Sequence, residues 1–279
     1  MKQSDDFIFC KNFINDFISK YLKGNIQALL DFDFASLRQD KQFGCNSRGF
    51  DCDDTNLTRA ICFLLWGDTY PDITLSDIGT GKKYRGDTLN TFRTVLGTYL
   101  TEQHSCIGIE KSDAPEYLRV LANQFYTVYH SIGNFILLPN IAETENKHAF
   151  TLNTYRGTAY KDYFDLFLQN LDLCLTSVNG DVHLAALVER NDFFFSWLQT
   201  NGGLKYICKL CWLEDYFADD KPQVLFSPYL YCLRKKQEWT DFEKTHYIEH
   251  IERYLITATA IIKNRAIKMI KQLSIKCCK

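Results

Sequence analysis

Over most of this chain the apolar residues recur at steps of three and four, the spacing of helices that bury one face and wet the other. Phe7, Cys10, Ile14, Phe17 and Tyr21 predict a first helix, with Ser4 as its N-cap and Gly24 just past its end. Periodicity lapses from Asp31 to Asp54, where paired acids, Gly44 and Gly49 appear, and resumes at Leu57, Ile61, Leu64 and Leu65. A loop-rich stretch over 31–56 and a second helix are expected there. Pro71, Gly79 and Gly81 make 67–86 a loop-rich connection, with a short strand expected at Ile73 to Leu75. Asp113-Ala-Pro-Glu116 supplies a helix start, and Tyr117, Leu121, Phe125 and Val128 its buried face, up to about His130.

Phe135 to Leu138 is a short apolar run closed by Pro139, and Phe150 to Tyr155 alternates. The two are expected to pair as a small antiparallel ribbon. Tyr163, Phe164, Phe167, Leu168, Leu171 and Leu175 predict an apolar helix, followed by helices around Leu184 to Leu198 and Leu204 to Phe217. From Asp241 to about Leu273 no Pro or Gly intervenes, while Ile248, Ile251, Leu255, Ala258, Ile262, Ala266, Met269 and Leu273 keep one face apolar. The fold class expected is therefore mainly α. It is a single compact helical domain over 1–279, with an N-terminal helix (1–24), a core (25–240), a small antiparallel β-ribbon and a long C-terminal helix (241–274).

Composition narrows the setting. With 279 residues, 15% of them aromatic, the chain can bury a core without disulfides or metals. A formal charge of −2 exerts no global pull on nucleic acid or anionic lipid. No charged-then-apolar leader opens the sequence, and Tyr254 to Ile262 falls short of the roughly 20 residues of a spanning helix. A cytoplasmic protein with no membrane partner is expected. Eleven cysteines at irregular spacing then read as reduced thiols used as small hydrophobes. Cys208-Lys-Leu-Cys211 lacks a second ligand pair for zinc, so it too reads as packing; Cys277-Cys278 is expected frayed and exposed.

Several patterns touch on chemistry. Asp51-Cys-Asp53-Asp54-Thr55 has the DxDxT spacing of phosphoryl-transfer sites, but those need an apolar strand to aim the loop, and Cys45 to Phe50 is polar. Gly79-Thr-Gly81-Lys82-Lys83 lacks the first Gly and the Ser or Thr of a phosphate loop. Glu243, His246, Glu249, His250 and Arg253 share the polar face of the terminal helix, with the Glu-x-x-His spacing of carboxylate-bridged metals, but such a metal would need a second Glu-x-x-His helix. Arg253 has no His behind it, as a HEPN-type ribonuclease requires. Lys263, Arg265, Lys268, Lys271 and Lys276 suit the negative end of that helix and read as a solvated basic stripe. His104 and His130-Ser-Ile-Gly133-Asn134 have a trace of the HNH nuclease pattern without its Asp-His-x-x-Pro segment. The metal-ligand candidates are thus Asp51, Asp53, His104, His130, His246 and His250.

Taken in order, Asp31-Phe-Asp33-Phe34, Gly49-x-Asp51-x-Asp53, Leu64-Leu65-Trp66, Asp87-Thr88 with Phe92, Ile132-Gly133-Asn134, Asn153-x-x-Arg156-Gly157, Asp162-Tyr-Phe-Asp165-Leu166 and Asn264-Arg265 resemble an uncharacterised bacterial family, a domain of unknown function. The resemblance spans about residues 30 to 267 and implies one shared fold and no known reaction. It singles out Asp51, Asp53, Asp87, Asn153, Arg156, Asp162 and Asp165. Arg156 is expected to pair with a carboxylate or grip a phosphate, and Asp162 and Asp165, one helical turn apart, are its expected partners.

Two functions fit. In the first, the acids and Arg156 stabilise a scaffold that binds a protein or a small ligand, as regulatory and host-defence modules do. In the second, they hold Mg or Mn in a nuclease or a nucleotide or phosphoester hydrolase, with Arg156 and Asn153 on a phosphate. A closed Arg156 ion pair would favour the first, and an open cleft with three acids in metal reach the second.

Overall fold

The computed structural model describes residues 5–45, 52–91, 115–142, 150–160, 163–176, 180–226 and 241–278, with backbone alone at 241–245, 247–248 and 278. The protein is mainly α. Helix α1 (Asp5–Leu22) buries Cys10, Ile14, Phe17 and Ile18. It stops at Gly24, whose φ of +80° allows its N–H to reach back to the Ile18 carbonyl at 3.0 Å. The loop-rich stretch that follows holds three 3-10 turns, Ile26–Leu30, Phe34–Gln39 and Cys52–Asp54; Asn25 and Asp33 cap the first two.

Helix α2 (Asn56–Trp66) is capped by Thr55 and buries nine of its residues, so it runs through the interior and not along the surface. The expected strand at 73–75 does not form. Thr74 and Asp77 make a reciprocal capping box instead and start a helix, α3 (Leu75–Thr80), which closes at Gly81 with φ +64°.

Strand β1 (Tyr84–Thr88) pairs antiparallel with β2 (Phe135–Pro139), Gly86 facing Leu137. The ribbon exists, but the expected partner Phe150 to Tyr155 is replaced by β1. Thr151 and Thr154 cap one another and turn that stretch into helix α5 (Leu152–Ala159), so a local cap overrides the alternation. All five residues of β2 are buried, which is why it shows a continuous apolar run.

Between the strands, α4 (Glu116–Tyr129) closes at His130 and buries Leu118, Ala122, Phe125 and Val128; Tyr117, expected inside, is exposed. Helix α6 (Phe164–Thr176) is followed by α7 (Val182–Arg190) and α8 (Asp192–Thr200). These two replace the single helix expected around 184–198, because the fully buried Asn191 interrupts it. Its side chain accepts from Ile141 N (2.9 Å) and donates to the carbonyls of Ile141 (2.9 Å) and Leu187 (2.8 Å). Helix α9 (Leu204–Leu210) gives way to a 3-10 turn at Glu214–Tyr216 and a short hairpin, β3 (Phe217–Ala218) with β4 (Lys221–Pro222).

The long terminal helix α10 (Asp241–Cys278) continues beyond its expected end and buries Cys277, which falls four residues after Leu273 on the same apolar face. Among the described residues, no helix is long and apolar enough to cross a membrane. Among the described residues, Cys10, Cys52, Cys62, Cys208, Cys211 and Cys277 are buried as small hydrophobes, and burial pushes Cys10 up to about 12 and Cys208 and Cys211 up to about 11, far from thiolate chemistry at neutral pH.

Helix α10 rests on the turn Ile132–Asn134 that precedes β2. Arg265 is 1% exposed and donates to three backbone carbonyls: Cys211 (2.7 Å), Gly133 (2.7 Å) and Phe135 (2.5 Å). Gly133 sits so close to the helix that an added Cβ would stand 2.0 Å from the Ile262 carbonyl oxygen and 2.9 Å from the Ala266 Cβ. Neither obstacle can rotate away. Gly133→Ala is therefore expected to cost on the order of 3 kcal/mol or more in urea denaturation. Gly79→Ala, where the new Cβ meets nothing within 4 Å, should be neutral or stabilising by about 0.5–1 kcal/mol. Equal behaviour of the two variants would refute this close packing.

Candidate functional site

Four of the seven polar candidates meet around Gly86 in β1. A Cβ at Gly86 would lie 2.2 Å from the Asp53 carbonyl oxygen, so only glycine lets the Cys52–Asp54 turn lie against the strand. Asp53 is 3% exposed at this contact. Asn153, in the first turn of α5, points Nδ2 at the Gly86 carbonyl over a long 3.4 Å. One turn further along α5, Arg156 reaches Asp87, the next residue of β1. Nε donates to Oδ2 at 2.8 Å and Nη2 to Oδ1 at 2.7 Å, and Nη2 also donates to the Thr88 carbonyl at 2.7 Å.

This is a closed, bidentate ion pair. Arg156 is 1% and Asp87 5% exposed, and the guanidinium lies over the Phe164 ring at 5.9 Å. Its expected partners were Asp162 and Asp165. Asp162 lies outside the described residues. Asp165 turns elsewhere: Oδ2 accepts from Leu225 N (2.7 Å) and Phe226 N (3.0 Å), tying the segment after β4 to α6. Burial raises the Asp165 carboxyl above its ordinary range, against the pull of those backbone donors. Asp87 takes the role because β1, not the next turn of helix, runs beside α5.

The remaining candidates are dispersed. Asp51 and His104 lie outside the described residues. Thr55, the last residue of the DxDxT match, accepts from Thr58 N at 3.1 Å as the cap of α2. His130 closes α4, with Nδ1 3.5 Å from Asp33 and its ring 4.5 Å from Tyr129. Asn134 is fully buried and clamps the backbone of Asn90, accepting from its N–H (2.9 Å) and donating to its carbonyl (3.0 Å), so the stretch with an HNH trace is a structural stitch. His246 and His250 are half-buried on α10. Among the described residues, no group of three His, Cys, Asp or Glu is placed to hold a metal ion.

The chain matches no family model, no curated protein and no solved structure.

A second polar cluster centres on Asp181. Asp181 accepts from Tyr160 (2.7 Å) and Tyr155 (2.8 Å) and caps α7 through His183 N (3.0 Å) and Leu184 N (3.1 Å). The cap was readable in Asp181-Val-His-Leu184; the tyrosines come from α5 and its end, which local sequence does not reveal. Burial alone would raise this carboxyl, but the donors from Tyr160, Leu184, Tyr155 and His183 outweigh it and hold its pKa below the ordinary value.

Two outcomes follow. Arg156→Met should cost roughly 3–5 kcal/mol in denaturant unfolding, because it strands the buried Asp87 carboxylate, and Asp87→Asn combined with it should recover part of that loss. Asp181→Ala should cost about 1–2 kcal/mol at pH 7. Since the folded pKa of Asp181 is depressed, its stabilisation is full above the ordinary carboxylate pKa of about 4 and fades as pH falls through the lower folded value. The gap between wild type and Asp181→Ala should thus narrow from pH 5 to pH 2; a gap that widens on acidification would contradict the assignment.

Proposed function

We propose that this protein is a binding module of the regulatory or host-defence kind, and that it engages another protein through the outer face of α10. The observation that carries the reading is the closed Arg156–Asp87 pair. A guanidinium at 1% exposure, already spent on a carboxylate and on the Thr88 carbonyl, has no donor facing solvent with which to grip a phosphate.

Helix α10 supplies the surface. Ile256, Ile267 and Ile275 are 49%, 56% and 43% exposed along its outer face, with Arg253, Lys263 and Lys271 exposed among them. The basic stripe read from sequence divides in three dimensions. Arg265 turns into the core, Lys268 pairs with Glu214 (3.0 Å) and Lys276 with Asp68 (3.0 Å). Among the described residues, Arg253, Lys263 and Lys271 form no ion pair. No Asp or Glu occurs from 253 to 279, so a second copy laid on this stripe would set cation against cation. An acidic amphipathic helix fits it, with apolar anchors on the isoleucines and carboxylates on the flanking cations.

The test is fluorescence anisotropy with a labelled, Glu-rich amphipathic helical peptide carrying leucine on one face. Binding that weakens with salt, and weakens about tenfold or more with Ile267→Asp, is expected. Equal binding by a scrambled peptide, or none, would count against the surface. A calorimetric titration with Mg2+, Mn2+ and nucleotides probes the hydrolase alternative; saturable binding lost in Arg156→Ala variants that remain folded would overturn the reading.

A further inference from the structure

On the opposite kind of surface, a groove of about 290 Å³ opens between α1, α2 and α3, lined by Phe9, Phe13, Asn56, Arg59, Ala60, Leu75 and Gly79. Its walls are apolar. Phe9, 54% exposed, stacks on Phe13 with ring centroids 5.7 Å apart and 22° between planes, and Ala60 and Leu75 continue the lining.

Arg59 is the exception in this wall, and its bonding is incomplete. Its side chain is 20% exposed, yet its sole ion pair among the described residues is Nη2 to Asp54 Oδ1 at 3.9 Å, too long for a hydrogen bond. Its Nε is shielded from solvent and has no partner. Asp54 spends its Oδ2 on Arg85 Nε (3.0 Å) and Nη2 (2.9 Å), and its Oδ1, the oxygen nearer Arg59, is likewise shielded and without a hydrogen-bond partner. Arg156 and Arg265, the other deeply placed arginines, are held by the carboxylate and carbonyls described above, although Arg265 Nη2 is also buried without a partner. A mostly buried guanidinium without an acceptor costs stability, and it sits in the wall of an aromatic groove of a small ligand's size.

We propose that this groove binds a small molecule with a single carboxylate on an apolar or aromatic body. The carboxylate takes the donors of Arg59, and the body lies against Phe9, Phe13, Ala60 and Leu75. Two acids touch the wall residues, Asp54 beside Arg59 and Asp6, which accepts from Leu75 N at 3.5 Å, so a monoanion is better matched than a phosphate dianion. The site is separate from the α10 stripe and stands whether or not that surface binds a protein.

The test uses the full chain, isothermal calorimetry and two probes: 4-phenylbutyrate and its neutral amide, 4-phenylbutanamide. Saturable binding of the acid, with the amide about tenfold weaker or more, is expected. Arg59→Met should bring the acid down to the affinity of the amide while the melting temperature stays at or above that of the wild type, since Met fills the wall without stranded donors. A fall in Tm of about 5 °C or more would instead make Arg59 a structural residue and overturn the proposal. Phe9→Ala, at an exposed position, should weaken the acid several-fold at unchanged Tm; retention of full affinity would also overturn it, as would acid and amide binding alike or neither binding at all.

Discussion

A guanidinium held by carbonyls alone ties this fold together. Arg265 projects from α10 into the core and gathers three carbonyl oxygens from two segments far apart in sequence: Gly133 and Phe135 at the start of β2, and Cys211 at the end of α9. Burying a charge costs several kcal/mol before compensation, and burial pulls the Arg265 pKa below its ordinary value. The carbonyls offset that cost and gain partners for backbone groups that would otherwise be stranded between a turn and a strand. The same contact requires Gly133, because no Cβ fits between the turn and the helix. The adjoining Asn134 extends the stitch to Asn90, whose Oδ1 receives Tyr216 at 2.7 Å. Helix α10, the ribbon and the α9 segment are thus locked through one short turn.

The Arg156–Asp87 pair does for the other side of the ribbon what Arg265 does for this one. It fastens α5 to β1, across an edge that also receives the Cys52–Asp54 turn at Gly86. Bidentate geometry matters here: two parallel bonds fix the angle between helix and strand, whereas a lysine would fix only a distance. Both buried arginines serve the interior, whereas Arg59, whose Nε has no partner, and the exposed Arg253, Lys263 and Lys271 of α10 are less committed to it. The polar residues that look most catalytic in the sequence are the ones the fold consumes.

Much of the helical plan was legible because helices are written locally. The three- and four-residue apolar steps marked α1, α2, α4, α6 and α10, and Gly24 marked a stop. The misreadings have local causes too. Capping boxes at Thr74 and Thr151 outweigh β-like stretches, and Asn191 divides an otherwise continuous helical pattern with hydrogen bonds to Ile141, a residue 50 positions away.

What the sequence determined by itself was a helical fold, an aromatic core and a set of polar residues worth locating. What only the tertiary structure decided was their pairing. Asp87 and Arg156 are 69 positions apart, while Asp165 lies only nine residues from Arg156, so sequence proximity pointed to the wrong carboxylate. Ion-pair partners are chosen by which strand or helix lies within about 3 Å of a donor once the core has packed, and that distance is written in no local pattern.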